Sequence, residues 1–469
     1  MTHTTSDFLD ALRAVLDHSA LRVGDAIPDN RHRDWSSTAP CAPLAWATPS
    51  STGQVSALLR LCHEHRVPVV PQGGLTGLAG SAVPVPGSVA LSLDRMHAVE
   101  SVDADARTLA VQAGATLQAV QEAAREAGCQ FGVDLGARGS CQVGGIVSTN
   151  AGGNGVLQFG MMREQVLGLE VVLADGTVLD MMRPMIKNNT GYDLKHWFIG
   201  AEGTLGVVTR ALLRLHPASG AQATALVAVP DARSALQLLR RLQSGGVAQV
   251  AAYELMWHDF MEHALACTGM AHPFDQAHPL LVLMDLAGDD EAALRHTFES
   301  VLGSAIEDGL VRDAVIAHSA QQAASLWRLR ETSGEIPSQM AAINFDISVP
   351  LHILPEFAER CIHALSGRWP GHKSVRFGHL GDGNIHLSTD ARTLGGLSPA
   401  DAEQALETLV YGLVAEAGGS ISAEHGIGML KKLHLGASRT PAEIAAMRSI
   451  KAALDPHGIL NPGKVFDMV

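Results

Sequence analysis

Apolar residues follow two spacings in the first part of the chain. They lie three or four positions apart in residues 51–66 and 116–127, which predicts amphipathic helices. Short apolar runs predict strands at 67–71, 169–179 and 206–215, and an Asp-Gly turn interrupts the second of these runs. Glycine-rich stretches separate these segments, so the first 217 residues are expected to combine short helices and strands with long loops.

The pattern changes near residue 221, where glycine becomes sparse and strands alternate with helices. The predicted strands are 223–229, 250–255, 280–286 and 343–349, and the predicted helices are 232–243, 291–302 and 355–366. Two later helices are expected to begin with proline after a capping residue, at Ser398 and at Thr440. We place a domain boundary near residues 217–222.

Composition narrows the class of protein. The 469 residues suffice for two or three domains, with 46% hydrophobic and 17% charged residues, as in ordinary globular proteins. The net charge of -14 argues against nucleic acid as a partner. The chain has no apolar run of about 18 residues for a transmembrane helix, and its first residues do not resemble a signal peptide. Six dispersed cysteines without a CxxC motif indicate reduced thiols in a cytoplasmic protein.

Three glycine-rich segments are the strongest local signal. Residues 71–80 (PQGGLTGLAG) follow a predicted strand, and glycines there leave backbone N–H groups free to face an anion such as a diphosphate. A structural turn would explain this segment about equally well. The chain lacks GxGxxG, which counts against an NAD site. The other two segments are more specific: 134–160 (DLGARGSCQVGGIVSTNAGGNGVLQFG) and 187–207 (KNNTGYDLKHWFIGAEGTLGV).

Together these segments resemble the flavoproteins related to vanillyl-alcohol oxidase, in the branch of FAD-dependent D-2-hydroxyacid dehydrogenases. The resemblance spans about residues 40 to 466 and implies an α+β fold. A PCMH-type FAD-binding domain of two subdomains is expected at 1–218. An α/β cap domain with an antiparallel sheet is expected at 219–454, and a C-terminal arm at 455–469 that returns to the FAD domain.

The resemblance also implies non-covalent FAD and assigns residues to it. The implied cofactor-binding residues are Pro71, Gly73, Gly74, Thr76, Gly77, Gly136, Ser140, Gly144, Gly145, Thr149, Asn150, Gly153, Glu202, Gly206, Val207 and Asn461. Residues 202–207 are expected near the adenine and ribose.

Residues 377–388 (FGHLGDGNIHLS) suggest a metal site. If Gly381–Asn384 form a four-residue turn, Leu380 pairs with Ile385 and His379 with His386, so both imidazoles point to one place. Two such imidazoles suit Zn²⁺, with Mn²⁺ or another divalent ion as alternatives. Glu424 can supply a third ligand, which would leave one position open for chemistry. A pair of structural histidines remains the alternative, and the resemblance favours the metal.

The resemblance gives roles to further residues. It implies that His425 is the general base, that Arg330 binds the substrate carboxylate, and that Asn384 contacts the substrate or orients a ligand. Enzymes of this branch that act on D-2-hydroxyglutarate usually carry a lysine where this chain has Asn344. The choice between D-2-hydroxyglutarate and a D-lactate or glycolate type of substrate therefore stays open.

We expect an enzyme that oxidises a D-2-hydroxy acid to the 2-oxo acid by hydride transfer to flavin N5. A metal-dependent hydrolase using the same two histidines and Glu424 is the alternative from another class, but it leaves the glycine loops unexplained. A flavin-carrying subunit without catalysis would be expected to lack those ligands. An electron-transfer flavoprotein, a quinone or a cytochrome is the expected electron acceptor. Peripheral attachment to the inner membrane and a homodimer are both left open.

Overall fold

The computed structural model describes residues 3–244 and 249–468, which form two compact units. Unit 1 comprises residues 1–153, 159–218 and 424–469, and unit 2 comprises 154–158 and 219–423. The strands are β1 (Leu21–Val23), β2 (Ala45–Ala47), β3 (Val69–Gln72), β4 (Val89–Ser92), β5 (Val99–Asp103), β6 (Thr108–Gln112), β7 (Cys129–Gln130), β8 (Val166–Val172), β9 (Val178–Asp180), β10 (Val207–Arg214), β11 (His216–Pro217), β12 (Ala221–Val229), β13 (Gln249–Trp257), β14 (Leu280–Gly288), β15 (Asp313–Ile316), β16 (Ala342–Ser348), β17 (Ser374–His379) and β18 (Asn384–Asp390).

The helices follow the same chain order. They are α1 (His3–Val15), α2 (Thr52–His65), α3 (Leu117–Glu126), α4 (Val143–Thr149), α5 (Val156–Phe159), α6 (Met162–Gln165), α7 (Lys195–Phe198), α8 (Ala232–Ser244), α9 (His258–Thr268), α10 (Glu291–Glu307), α11 (Ala320–Glu331), α12 (Ile336–Gln339), α13 (Leu354–Arg368), α14 (Pro399–Glu416) and α15 (Pro441–Leu454). No helix in the described residues is long and apolar enough to cross a membrane.

Unit 1 contains two main sheets. The first has the order β1-β2-β4-β3, in which β4 pairs in parallel with both β2 and β3, and the second is the antiparallel sheet β5-β6-β10-β8-β9. Helix α2 follows β2 and begins at Ser51, whose side chain accepts a hydrogen bond from the Gln54 N–H. Its apolar stripe is buried, and the next strand, β3, leads directly into the first glycine loop.

Unit 2 is built on one antiparallel sheet with the order β15-β12-β14-β13-β17-β18-β16. Its central strands are almost wholly buried, because helices pack against the sheet, and this explains their continuous apolar runs. Helices α9 and α11 cover part of one face through a core that includes Met256, Phe260 and Leu329. The antiparallel sheet expected for the cap domain is therefore present.

The structure divides the chain differently from the expected boundary at residue 454. It places residues 424–454 in unit 1, together with the C-terminal residues. The buried Lys451 of α15 explains this placement, because its Nζ donates to the carbonyl oxygens of Thr204 (2.7 Å) and Leu460 (2.8 Å). Beyond α15, Asn461 N–H donates to the Val69 carbonyl at 2.8 Å, so the chain end lies along β3.

Candidate active site

The glycine loops of unit 1 surround a cleft. Its cavity of about 360 Å³ falls within the roughly 300–1,000 Å³ usual for small-molecule sites. Thirteen of the sixteen residues expected to bind a cofactor line it: Pro71, Gly73, Gly74, Thr76, Gly77, Gly136, Gly144, Gly145, Thr149, Glu202, Gly206, Val207 and Asn461. Glu424 and His425 line the same cleft. Segments distant in sequence thus share one cavity.

The glycines of the cleft serve two different purposes. A Cβ on Gly74 would lie 1.8 Å from the Ser140 carbonyl oxygen, so the first two glycine loops can approach each other only without a side chain there. A Cβ on Gly136 or Gly145 would meet nothing within 4 Å and would instead occupy the open space. The cleft is therefore lined by backbone that a ligand can approach closely.

Polar atoms with no partner also face this space. The amide oxygens of Gln142 and Asn461 are buried, line the cleft and accept no hydrogen bond within the described part of the chain. A buried acceptor without a donor is costly, so such atoms indicate a ligand that supplies hydroxyl or N–H donors. A dinucleotide with ribose hydroxyls fits this requirement.

Three of the expected cofactor residues do not line this cleft. Ser140 lines a neighbouring opening. Asn150 ends α4 in the left-handed conformation (φ 54°), and its Oδ1 accepts from the Arg163 N–H at 2.9 Å. Gly153 has φ +77°, and a Cβ there would lie 1.8 Å from the Asp134 carbonyl oxygen. Asn150 and Gly153 hold the loop in shape, so their place in a glycine-rich motif reflects backbone geometry.

Glu202 fastens the loop that carries His425. Its carboxylate accepts hydrogen bonds from the backbone N–H groups of Ile427 and Gly428, each at 2.8 Å, and from the Ser81 hydroxyl. Burial raises the pKa of Glu202 above its ordinary value, although these hydrogen bonds oppose the rise. Sequence reasoning expected Glu202 near the adenine and missed this contact. The sequence did contain a signal: Glu202 lies beside a glycine, and the glycine-containing turn after His425 offers backbone N–H groups that a carboxylate can bind.

In unit 2 the histidine hairpin has a different register from the expected one. His379 pairs with Asn384 and His386 with Phe377, so the expected pairing of His379 with His386 was wrong by two residues. The loop comprises residues 380–383 and closes through Gly383 (φ +83°), where a side chain would be strained. A shift of two residues keeps every side chain on its original face. The two histidines therefore still converge, diagonally, with ring nitrogens within 4.8 Å of each other.

A buried carboxylate links His379 to Arg330. The Glu254 Oε1 lies 2.7 Å from His379 Nδ1, and its Oε2 accepts from Arg330 Nε at 2.9 Å. Burial by itself raises the pKa of Glu254, but the charges of His379 and Arg330 outweigh it and hold the pKa below its ordinary value. The Arg330 guanidinium also lies over the Phe377 ring, 4.6 Å from its centre.

Asp346 organises the other side of this face. It pairs with His386 across β16 and β18, and its Oδ1 accepts from Asn384 Nδ2 at 2.8 Å. Asn384 is buried, and its Oδ1 accepts no hydrogen bond within the described residues. Sequence reasoning missed both Glu254 and Asp346. Each was visible as the single carboxylate of a largely apolar strand, and burying such a group is tolerated only when it has partners.

Comparisons with known proteins bear directly on these sites. Residues 43–182 match the family model described as FAD binding domain, and residues 219–465 match FAD linked oxidases, C-terminal domain. The chain is 41% identical to a D-2-hydroxyglutarate dehydrogenase of Xanthomonas citri pv. viticola, covering 96% of this chain and 95% of that protein. It is 38% identical to the mitochondrial D-2-hydroxyglutarate dehydrogenase of Bos taurus, covering 92% and 78%.

Solved structures agree on the fold. p-Cresol methylhydroxylase with substrate bound matches with a TM-score of 0.75 at 16% identity, covering 100% of this chain and 98% of that one. The 4-ethylphenol oxidase of Gulosibacter chungangensis matches with a TM-score of 0.72 at 18% identity, covering 99% and 98%. These matches confirm the α+β fold with a PCMH-type FAD-binding domain.

The matched models cover both units and agree with the glycine cleft, so FAD is the cofactor and the hydrolase alternative is set aside. The chain belongs to the FAD-linked D-2-hydroxyacid dehydrogenases, oxidoreductases acting on CH–OH groups within the vanillyl-alcohol oxidase flavoprotein family.

Proposed function

We propose that this enzyme oxidises a D-2-hydroxy acid to the 2-oxo acid, with His425 as the general base. The observation that carries the proposal is that His425 lines the same cleft as the glycine loops proposed to bind the flavin. A base that removes the substrate hydroxyl proton has to act beside the flavin, because the hydride leaves the adjacent carbon. Glu202 supports this role, since it fixes the backbone of the loop immediately after His425.

FAD suits the cleft because it carries hydroxyl and N–H donors and because the glycine backbone allows a close approach. Its diphosphate would lie against the backbone at Gly73, Gly74 and Gly145, and its hydroxyls would satisfy the Gln142 and Asn461 amide oxygens. When bound, the flavin accepts the hydride at N5. The chain's own contribution is a cleft lined by glycine backbone that a diphosphate can approach closely.

A divalent ion, Zn²⁺ before Mn²⁺, is proposed on His379, His386 and Glu424. When bound, such an ion acts as a Lewis acid toward the substrate hydroxyl. The Nδ1 of His379 lies 2.7 Å from a carboxylate oxygen of Glu254, an arrangement typical of metal-binding histidines. Connectivity supports Glu424 as the third ligand: the N–H of the preceding residue, Ala423, donates to the Asp346 carbonyl, and Asp346 is paired with His386.

Arg330 is proposed to hold the substrate carboxylate. Its Nε and Nη1 are used by Glu254 and Ser333, which leaves Nη2 without a partner within the described residues. Guanidinium groups bind carboxylates strongly and with defined geometry. Asn384, with an unsatisfied Oδ1 and a fixed Nδ2, is proposed to accept from the substrate or from a bound water.

D-2-Hydroxyglutarate is the first candidate substrate, because the relatives from Xanthomonas and Bos are named for it. The position expected to hold a lysine is Asn344, whose Oδ1 accepts from the Ser388 hydroxyl at 2.6 Å. An amide binds a distal carboxylate more weakly than a cation does. A D-lactate or glycolate type of substrate is therefore the competing candidate.

Anaerobic mixing with a panel of acids tests the reaction and the substrate together. D-2-Hydroxyglutarate, D-lactate, glycolate and the L-enantiomers of the first two are added while flavin absorbance is followed. We expect rapid bleaching with one or more of the achiral or D acids and none with the L acids. Bleaching by L acids alone, or by none of the panel, would contradict the proposal.

Metal removal tests the ion separately. We expect treatment with a strong chelator followed by desalting to abolish turnover while the flavin stays bound, and Zn²⁺ or Mn²⁺ to restore it. Full activity in a metal-free sample would end the metal assignment without affecting the FAD assignment. An electron-transfer flavoprotein, a quinone or a cytochrome remains the proposed acceptor, and a homodimer the proposed assembly.

A further inference from the structure

We infer that Glu254 is a positioning residue that orients His379 toward the metal and Arg330 toward the substrate carboxylate at the same time. The inference rests on the proposed function, because it assigns a purpose to a residue that touches neither the flavin cleft nor, as proposed, the ion. Its basis is the arrangement of one carboxylate between two side chains with different proposed roles.

The position of Glu254 is set by the sheet. It lies on β13 directly opposite His379 of β17, and only 1% of its surface is exposed. Arg330 reaches it from α11, which packs over the same face. One carboxylate oxygen meets the imidazole and the other meets the guanidinium, at 2.7 and 2.9 Å. No other carboxylate in the described residues hydrogen-bonds to both side chains.

This contact determines the tautomer of His379. With Glu254 accepting at Nδ1, the proton of the neutral ring stays on Nδ1, and Nε2 is the ring nitrogen that carries the lone pair a metal requires. The same carboxylate holds Arg330 Nε, so the guanidinium plane is fixed over Phe377. Glu254 thereby fixes both the proposed metal ligand His379 and the proposed carboxylate-binding residue Arg330.

A glutamine at this position has the same shape but cannot serve both neighbours. Its single oxygen accepts from either Arg330 or His379, and its NH₂ group then faces the other. If the NH₂ group faces His379, Nδ1 must accept and the proton moves to Nε2, which blocks metal binding. If the NH₂ group faces Arg330, it meets the N–H of Arg330 Nε. Two donors cannot form a hydrogen bond, so the guanidinium is expected to shift.

Asp285 provides a matched control in the same unit. It lies on β14, next to β13, is 3% exposed, and accepts hydrogen bonds from Thr224 (2.5 Å) and from Trp327 Nε1 (2.9 Å). Trp327 belongs to the same helix as Arg330, so Asp285 also secures α11. It makes no hydrogen bond to His379 or Arg330. A purely structural effect of losing a buried carboxylate should therefore appear in both variants.

The experiment compares full-length holoenzyme carrying Glu254→Gln, Glu254→Asp or Asp285→Asn. Zn²⁺ affinity is measured by competition with a chromophoric chelator, and kcat and KM with the best substrate of the panel. We expect Glu254→Gln to weaken Zn²⁺ binding 10- to 100-fold, the usual cost of losing such a partner, and to raise KM as well as lower kcat. Asp285→Asn should keep Zn²⁺ affinity within about twofold of the wild type.

Glu254→Asp retains the charge and tests the case in which the glutamine variant fails to fold. Recovery of at least part of the Zn²⁺ affinity in Glu254→Asp supports the inference. Wild-type Zn²⁺ affinity in Glu254→Gln, or an equal loss in Asp285→Asn, overturns it and leaves the proposed function intact. If the wild-type holoenzyme itself binds no Zn²⁺, the metal part of the proposed function fails together with the inference, and the wild-type measurement alone identifies that outcome.

Discussion

The glycine cleft of unit 1 is built mainly from backbone, whereas the strand face of unit 2 that carries His379 and His386 (the histidine face) is built from side chains. The cleft is made mainly of backbone, with glycines where two loops touch or where a ligand approaches. The histidine face also carries two buried carboxylates, Glu254 beside a histidine and an arginine, and Asp346 beside an amide. A backbone site depends on the absence of side chains, whereas a side-chain site depends on the register of the strands that carry them.

This difference has a physical consequence. In the cleft, adding one methyl group in the wrong place should be enough to stop two loops from meeting. On the histidine face, a substitution that conserves side-chain shape should still impair the proposed site, because that site depends on the charge of Glu254 and the tautomer of His379. The two regions should therefore respond to different substitutions and to different changes of solution.

The largest expected effect concerns His425, the proposed base, which lines the glycine cleft. We expect His425→Ala to lower kcat by about 10²–10⁴-fold, the usual contribution of a general base, while the protein remains folded and yellow. Stopped-flow measurement of flavin reduction checks this directly. His457→Ala is a suitable control, because that ring packs against His63 at a tilt of 42° and does not line the cleft. Near-normal reduction in His425→Ala would refute the assignment of the base.

Substitutions at two glycines test the two roles that glycine has in the cleft, close packing of loops at Gly74 and close approach of a ligand at Gly145. Gly74→Ala should destabilise the protein by about 3 kcal/mol or more, because its Cβ would overlap the Ser140 carbonyl oxygen at 1.8 Å. Gly145→Ala should leave thermal stability of the apoprotein unchanged and weaken FAD binding, because its Cβ enters the open cleft. Thermal melts with and without added FAD distinguish them. Equal behaviour of the two variants would contradict the distinction between a glycine that packs against backbone and one that faces the open cleft.

The smallest expected effect concerns the part of the pH dependence of stability that Asp285 of unit 2 contributes. Burial raises the pKa of Asp285 from 3.8 to about 6. The folded state then holds a proton that the unfolded state releases, so this contribution is complete below pH 3.8 and is lost as the pH rises through 6. The loss amounts to about 3 kcal/mol at 1.36 kcal/mol per pKa unit.

Thermal midpoints of the wild type and Asp285→Asn across pH 4.5–7.5 measure this contribution. The stability advantage of the wild type should shrink as the pH rises, because asparagine does not titrate. A difference between the two proteins that stays constant over this range would show that Asp285 does not retain its proton on folding. FAD content should be the same for both, since Asp285 lies in unit 2 and the glycine cleft belongs to unit 1.

The sequence by itself determined the parts whose physics is local. The capping box at Thr440 and Glu443 is present as expected, because four consecutive residues suffice to satisfy the first amides of a helix. Glycine loops could be recognised from contiguous motifs, and thirteen of the sixteen proposed residues line one cleft. The face shared by His379 and His386 was also predictable, since the side-chain period of a strand is two and survives the error in register.

Only the tertiary structure decided which distant residues complete each site. The Glu254–His379 contact joins residues 125 positions apart, and the contact of Glu202 with the loop after His425 spans more than 200. The turn at Gly383 fixed the hairpin register, and the buried Lys451 assigned α15 to unit 1. Such contacts depend on how strands pair and helices pack, because a buried charged group can form a hydrogen bond only with residues that the fold has brought close to it.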